Sequence, residues 1–471
     1  MSAAGARALP TSASEVAWPP APRFRFGVAT AAYQVEGAAR EGGRGESIWD
    51  RFAHTPGAVA NGDTGDVACD HYHRYAEDLD LMAELHVESY RFSIAWPRIQ
   101  PSGAGPVNAD GLAFYRRLAE GLLERGIEPI ATLYHWDLPQ ALQDAGGWAV
   151  RDTAARFAEY ASAAGEALGD VVGQFITHNE PWVTAFQGHA HGTKAPGIRD
   201  WATALRAAHH VLLSHGLATT ALRAALPGGG QVGLSLNLAP VRPAGDSVAD
   251  RAAADRKDGH LNRWFLDPVF RGAYPADMVE WYTSQLGPLH AVLEGDLAVI
   301  AAPIDFLGVN YYNPMRVRAA AAVPLLLEQV DAPQPTTAMG WEVDPDGLHD
   351  ILTRVEEEYG PVPVYITENG AAFHDGPVLD GAVADPERVA YLAGHLGALA
   401  RAIADGVDVR RYYVWSLLDN FEWEEGYEKR FGIVHVDFAT QVRTPKASAL
   451  FYRDHIDRAR GRGRPGGPPG G

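Results

Sequence analysis

DPERVAYLAGHLGALARAIADGVDVRRYYVWS, residues 385–416, reads as one helix and the strand that follows it. Asp385 stands at the N-cap position, Pro386 opens the first turn and Gly406 closes the last. Between them Val389, Leu392, Leu396, Leu399 and Ile403 recur at helical spacing, so the helix has one apolar stripe to bury. Residues 410–416 then read as a short apolar strand. The unit recurs upstream. Residues 110–126 repeat the helix with Leu112, Tyr115, Leu118 and Leu122. Further strands are expected at 25–29, 89–96, 128–135, 173–178, 232–237, 305–310 and 362–367. Several are near-continuous apolar runs, the pattern of parallel strands covered on both faces.

Eight strands interleaved with helices imply the α/β class and a single (β/α)8 TIM barrel. An open doubly wound sheet would place a glycine-rich phosphate loop after an early strand, and Gly27 and Gly37 lack that spacing. The 471-residue chain is long for one domain, yet no internal stretch resembles a linker. One domain is therefore expected over residues 22–457. Residues 1–21, rich in Ala, Ser and Pro, are expected to be a flexible segment, and residues 458–471 (RARGRGRPGGPPGG) a disordered tail.

The formal net charge of −19 argues against a grip on nucleic acid or on an anionic membrane. No secretory leader and no membrane span are expected from the apolar runs, and the one cysteine, Cys69, allows no intrachain disulfide. These features fit a cytoplasmic enzyme. The sequence leaves the oligomeric state open.

In such a barrel, residues at the C-terminal ends of the strands face the active site. Those ends carry Gln34 and Glu36; Arg91; His135, Trp136 and Asp137; His178, Asn179 and Glu180; Asn310, Tyr311 and Tyr312; Glu368 and Asn369; and Trp415, Asp419, Asn420, Glu422 and Trp423. Amides and carboxylates bond hydroxyls in pairs, and tryptophan faces pack against sugar C–H faces, so the set suits a polyhydroxylated ring. Glu180 and Glu368 end strands on opposite sides of the expected barrel. Glycosidic cleavage needs such a pair, one carboxylic acid and one opposed carboxylate. A gap of about 5–5.5 Å implies retention and a wider one inversion. The sequence leaves that gap open.

Five segments resemble signatures of glycoside hydrolase family 1, the β-glucosidase family. They are FRFGVATAAYQVEGA (24–38), LYHWDLPQAL (133–142), THNEPW (177–182), YITENG (365–370) and WSLLDNFEWEEGYEKRFG (415–432). DFLGVNYY (305–312), MGWEVDPDGL (339–348) and RTPKAS (443–448) extend the match in the same order. The resemblance implies a retaining β-glucosidase acting on terminal non-reducing β-D-glucosyl residues, and on galactosyl or fucosyl ones as well. Glu180 would be the acid/base and Glu368 the nucleophile. Arg91 and Tyr312 would orient Glu368, and its charge would raise the pKa of Glu180. Asn179 would bind the sugar 2-hydroxyl, with Asn310 beside it. Gln34, His135, Trp136, Glu422, Trp423 and Phe431 would complete the sugar pocket on a Trp415 floor. The Glu422 carboxylate would repel phosphorylated sugars, despite the phosphate-site look of Lys429–Arg430.

No cofactor and no metal is implied. His71 and His73 near Cys69, and the His209–His210 pair, lack zinc-ligand spacing and are expected to be structural. His178 and His189 depart from the family pattern. His178 is expected to be a core histidine, with a catalytic role or perturbation of the Glu180 titration as the alternatives. Residues 188–197 are expected to border the leaving-group side. The rival reading is a non-catalytic sugar-binding protein on the same fold, against which the intact glutamate pair argues.

Overall fold

The computed structural model describes residues 18–20 and 23–462. Eight parallel strands close a barrel: β1 (Arg25–Ala29), β2 (Ser89–Ser93), β3 (Glu128–Tyr134), β4 (Gln174–Asn179), β5 (Gln231–Asn237), β6 (Phe306–Asn310), β7 (Val364–Asn369) and β8 (Val409–Trp415). Their order around the barrel is β1-β8-β7-β6-β5-β4-β3-β2, so each strand pairs with its sequence neighbours and β1 with β8. Helices cover the outside. All eight expected strands are present in a single barrel; β1 keeps its expected bounds and the ends of the others shift by at most three residues.

The displacements have backbone causes. β2 stops at Ser93 instead of running to Trp96, because Trp96 and Pro97 open the helix Trp96–Ile99. β7 begins at Val364 instead of residue 362, since Pro363 has no N–H for the ladder and Val364 N–H takes the Asp408 carbonyl at 2.9 Å. The helix expected at 385–406 spans Pro386–Ala404, and Gly406 follows it with φ 108°. Asp385 occupies the N-cap position but makes no cap bond; its carboxylate accepts from Ser448 N–H at 2.8 Å and from Arg388. It ties this helix to Ala447–Ala459 instead of closing its own first turn.

Helix Asp152–Leu168 shows how the outer layer is fixed. Phe157 and Tyr160 are fully buried, and the Tyr160 hydroxyl reaches the carbonyls of Ile94 (3.1 Å) and Leu133 (3.0 Å). A buried ring of this kind contributes about 1.5–3 kcal/mol, and the hydroxyl satisfies carbonyls where β2 and β3 reach the mouth. Small sheets decorate the barrel: Val434–Val436 pairs antiparallel with Arg443–Pro445, and Met315–Ala319 lies between Val241–Pro243 and Leu327–Gln329. Residues 1–17 and 463–471, most of the two expected terminal segments, lie outside the described residues. The boundary expected at residue 458 falls within the helix Ala447–Ala459, and Arg460 beyond it pairs with Glu88 at 2.6 Å. Among the described residues, no helix is long and apolar enough to cross a membrane.

Candidate active site

The register of the barrel slips just before the residues that matter. β4 is irregular against β5 between Ile176 and Asn179, and β7 against β6 between Ile366 and Glu368. Such slips break simple inward–outward alternation and re-aim side chains at a barrel rim. Glu180, one residue past β4, has φ 49°, and its N–H donates to the Ser235 carbonyl at 2.9 Å. A left-handed backbone at a non-glycine residue stores strain that the surrounding bonds must hold. At the end of β7, a Cβ on Gly370 would overlap the Trp415 carbonyl oxygen, so glycine lets the ends of β7 and β8 close together.

Glu368 accepts from Arg91 Nη1 and from the Tyr312 hydroxyl, each at 2.6 Å. Arg91 is fully buried and also donates to Asn179 Oδ1 (2.7 Å), Thr132 Oγ1 (3.1 Å) and the Thr367 carbonyl (3.1 Å). A buried ion pair persists when its remaining donors are satisfied in this way. Asn310 Nδ2 donates to Asn179 Oδ1 (2.9 Å) and to Glu180 Oε1 (2.7 Å), while Asn310 Oδ1 accepts from Thr367 Oγ1 (2.6 Å). One network thus joins the two glutamates.

Burial, then the negative charge of Glu368, pushes the Glu180 carboxyl up to about 8, against the opposing bond from Asn310. Glu180 is therefore protonated at neutral pH. The family resemblance attributes this to the Glu368 charge; burial is the larger cause. His135 is held well below its usual range, by burial and then by the Arg91 charge. Neutral His135 takes the Asn179 amide on Nε2 (3.0 Å), which leaves its Nδ1 hydrogen without a partner among the described residues.

These groups border a cavity of about 430 Å³ at the barrel mouth, lined by Glu180, Glu368, His135, Trp136, Asn310, Tyr312, Trp415, Glu422, Trp423 and Phe431. Gln34, Arg91 and Asn179 adjoin that lining, bonded to Glu422, Glu368 and His135 respectively. Gln34 Nε2 also donates to the Phe421 carbonyl at 2.8 Å, and its Oε1 is buried without a partner among the described residues. Trp415 stacks on His135 with ring centres 5.7 Å apart, and Trp136 lies 4.6 Å from Trp423. All thirteen site residues expected from the sequence therefore meet at one place. What the arrangement can do chemically is present a proton donor and a held carboxylate to one hydroxyl-rich ring.

A model of glycosyl hydrolase family 1 matches residues 19–460. The chain belongs to that family. It is 52% identical over 439 residues to a thermostable β-glucosidase B of Thermobispora bispora, covering 92% of this chain and 90% of that protein. A bifunctional β-D-glucosidase/β-D-fucosidase of Bifidobacterium breve is 46% identical over 456 residues, 92% of this chain and 97% of that one. The family 1 β-glucosidase structure from Thermotoga maritima superimposes with a TM-score of 0.90 at 47% identity, covering 95% of this chain and 99% of that one.

Other family 1 signature residues turn out to be scaffold. Asp419 accepts from Lys446 (2.7 Å), Arg430 (2.8 Å) and the Gly432 N–H (3.0 Å), which binds RTPKAS to the segment after β8. Lys429 donates to the Ala338 carbonyl at 3.2 Å, so neither member of the Lys429–Arg430 pair reaches the cavity. Glu36 pairs with Arg98 at 3.0 Å, and Asp137 is fully enclosed with its carboxyl pushed up to about 8, chiefly by burial. His178 lies outside the barrel wall, 4.3 Å from the Phe157 ring, with Nε2 2.7 Å from Ser214 Oγ. Burial keeps it neutral and it is a core histidine. His189 is buried too, bonded to the Thr184 carbonyl at 2.8 Å. His71 pairs with Asp78 (2.7 Å) and His209 with Asp296 (2.8 Å). No cluster of three or more metal-type ligands occurs among the described residues. Cys69 is buried against the Asp419 carbonyl.

Sequence reasoning missed several residues of the cavity wall. Trp341 packs edge-on to Tyr312 at 5.4 Å, and Lys194 pairs with Glu424 over the Trp136 ring. Trp341 sat within a matched segment, MGWEVDPDGL, and could have been found there. Lys194 lies in the 188–197 loop, and no spacing relates it to Glu424, 230 residues away.

Proposed function

We propose that this protein is a retaining β-glucosidase, with Glu180 as acid/base and Glu368 as nucleophile. The observation that carries the reading is the pair of opposed carboxyls in different states. Glu180 is protonated and bonded to Asn310, while Glu368 is held between the Arg91 guanidinium and the Tyr312 hydroxyl. In the first step a Glu368 oxygen attacks the anomeric carbon while Glu180 gives its proton to the glycosidic oxygen, and the leaving group departs as an alcohol. Esterified Glu368 no longer carries charge, so one of the two causes that raise Glu180 is gone. Glu180, now a carboxylate, takes a proton from water as that water attacks the anomeric carbon and frees Glu368. Two displacements return the original β configuration.

Asn179 serves the 2-hydroxyl, Trp415 stacks on the ring, and Gln34 Oε1, His135 Nδ1–H and Glu422 serve its other hydroxyls. Burial pushes Glu422 up to about 8 as well, so it meets the sugar as a neutral acid at neutral pH. The sequence reading rested its rejection of phosphate on the Glu422 charge. The stronger ground is that Lys194, the lysine whose charge acts on Glu422, is already paired with Glu424. Unphosphorylated glucosides are the primary substrates, and β-D-fucosides and galactosides are accepted, as the name of the Bifidobacterium breve relative suggests for fucosides. Cytoplasmic residence fits the single reduced-type cysteine. The test is release of glucose from cellobiose and from p-nitrophenyl β-D-glucoside by the wild type, with none from Glu368→Ala. Tight binding of a β-glucoside with no release by the wild type would favour the sugar-binding rival.

A further inference from the structure

Helix Val248–Asp258 buries Ala253, Ala254 and Lys257 on one face. The lysine is 8% exposed, lines the cavity and has no hydrogen-bond or carboxylate partner among the described residues. Its ammonium sits 4.9 Å from the centre of the Trp182 ring. Neighbouring charges are otherwise engaged: Asp258 takes Arg354 (3.0 Å) and Arg263 (3.1 Å), and Arg256 stacks on Trp281 at 4.3 Å. Trp182 is fixed in turn, donating to His260 Nε2 at 2.9 Å, with His260 Nδ1 on the Tyr282 hydroxyl at 2.6 Å.

Trp182 comes two residues after Glu180. If Glu180 protonates the glycosidic oxygen, the leaving group extends from it along Trp182, away from Gln34 and Trp415. We infer that Lys257 is a specificity residue for leaving groups that carry a carboxylate beyond the glycosidic oxygen, the carboxylate meeting the ammonium while the body of the group lies along Trp182. This inference rests on the acid/base reading of Glu180.

The physical ground is the cost of a buried cation without a counter-ion. Burial pulls the lysine down only to about 8, so it stays charged at neutral pH. The other lysine of the cavity wall, Lys194, already has Glu424. A carboxylate supplies the missing counter-charge along with the hydrogen bond, whereas a hydroxyl supplies the hydrogen bond alone.

The experiment compares kcat/KM for 4-carboxyphenyl β-D-glucoside and for its methyl ester in the wild type, Lys257→Met and Lys257→Arg. The acid-to-ester ratio should fall about tenfold in Lys257→Met and stay within about threefold of wild type in Lys257→Arg. An unchanged ratio in Lys257→Met overturns the inference. A loss on cellobiose with the ratio unchanged also overturns it, and assigns the ammonium to sugar hydroxyls. Should Lys257→Met not fold, product inhibition of the wild type decides: 4-hydroxybenzoate should inhibit several-fold more strongly than its methyl ester, and equal inhibition refutes the role. Failure of the wild type on acid and ester alike would instead sink the acid/base reading itself.

Discussion

In the proposed mechanism Glu180 works as an acid only while it holds its proton. A carboxyl raised to about 8 by burial and by Glu368 keeps that proton through neutral pH and loses it above. The kcat/KM for cellobiose should therefore fall as pH rises through about 8, as a pH–rate profile would show. A flat profile up to pH 10 would remove Glu180 from the acid role. The same role sets how substrates respond to truncation. Glu180→Ala should cost about 10²–10⁴-fold on cellobiose, whose leaving group needs a proton, and far less on a dinitrophenyl glucoside, which does not. Equal losses on both substrates would contradict the assignment. The sequence revealed the two glutamates because each ends a strand beside amides and aromatics. It could not weigh burial against charge, since enclosure depends on side chains hundreds of residues apart. Lys194 and Lys257 were illegible for the same reason: one borders the cavity from a loop, the other from a helix beyond the strand ends.

Strand ends are where the sequence and the fold part by a few residues, and where function is placed. The apolar run at 89–96 continues unbroken into the helix at Trp96, which Pro97 alone marks, and Pro363 trims β7 from its start. The slips in β4 and β7 leave no mark in the hydrophobic pattern, yet they aim Asn179 and Glu368. The existence and order of the eight strands were legible, because each is a short apolar run between helices with their own punctuation. Gly370 is the tightest point of this arrangement. Gly370→Ala would force the ends of β7 and β8 apart at Trp415, costing about 1–3 kcal/mol in stability and moving Glu368 from Arg91 and Tyr312. Melting curves and kcat should both fall, the latter at least tenfold by the usual sensitivity of catalysis to misplacement. A Gly370→Ala enzyme with full kcat would show that this close approach does not position Glu368.

Across the whole molecule, the mouth of the barrel concentrates acids that fold in their uncharged form. Glu180, Glu422 and Asp137 are each raised to about 8. A raised carboxyl binds its proton more tightly in the folded state than in the unfolded chain, so its contribution is fully present below the unfolded value near 4. It is lost progressively as pH rises to about 8. Glu180→Gln or Glu422→Gln should thus raise the melting temperature over wild type at pH 8, with the gap closing toward pH 4. A gap that widens toward acid pH would reverse the sign of this linkage. A higher melting temperature in those variants would set activity against stability at this site.

The most direct test of the paired-glutamate mechanism is proton NMR of the glucose first released from an aryl β-D-glucoside. Two displacements at Glu368 require the β-anomer to appear first and the α-anomer only by later mutarotation. An α-anomer formed first would mean direct attack by water, and would contradict the nucleophile role of Glu368.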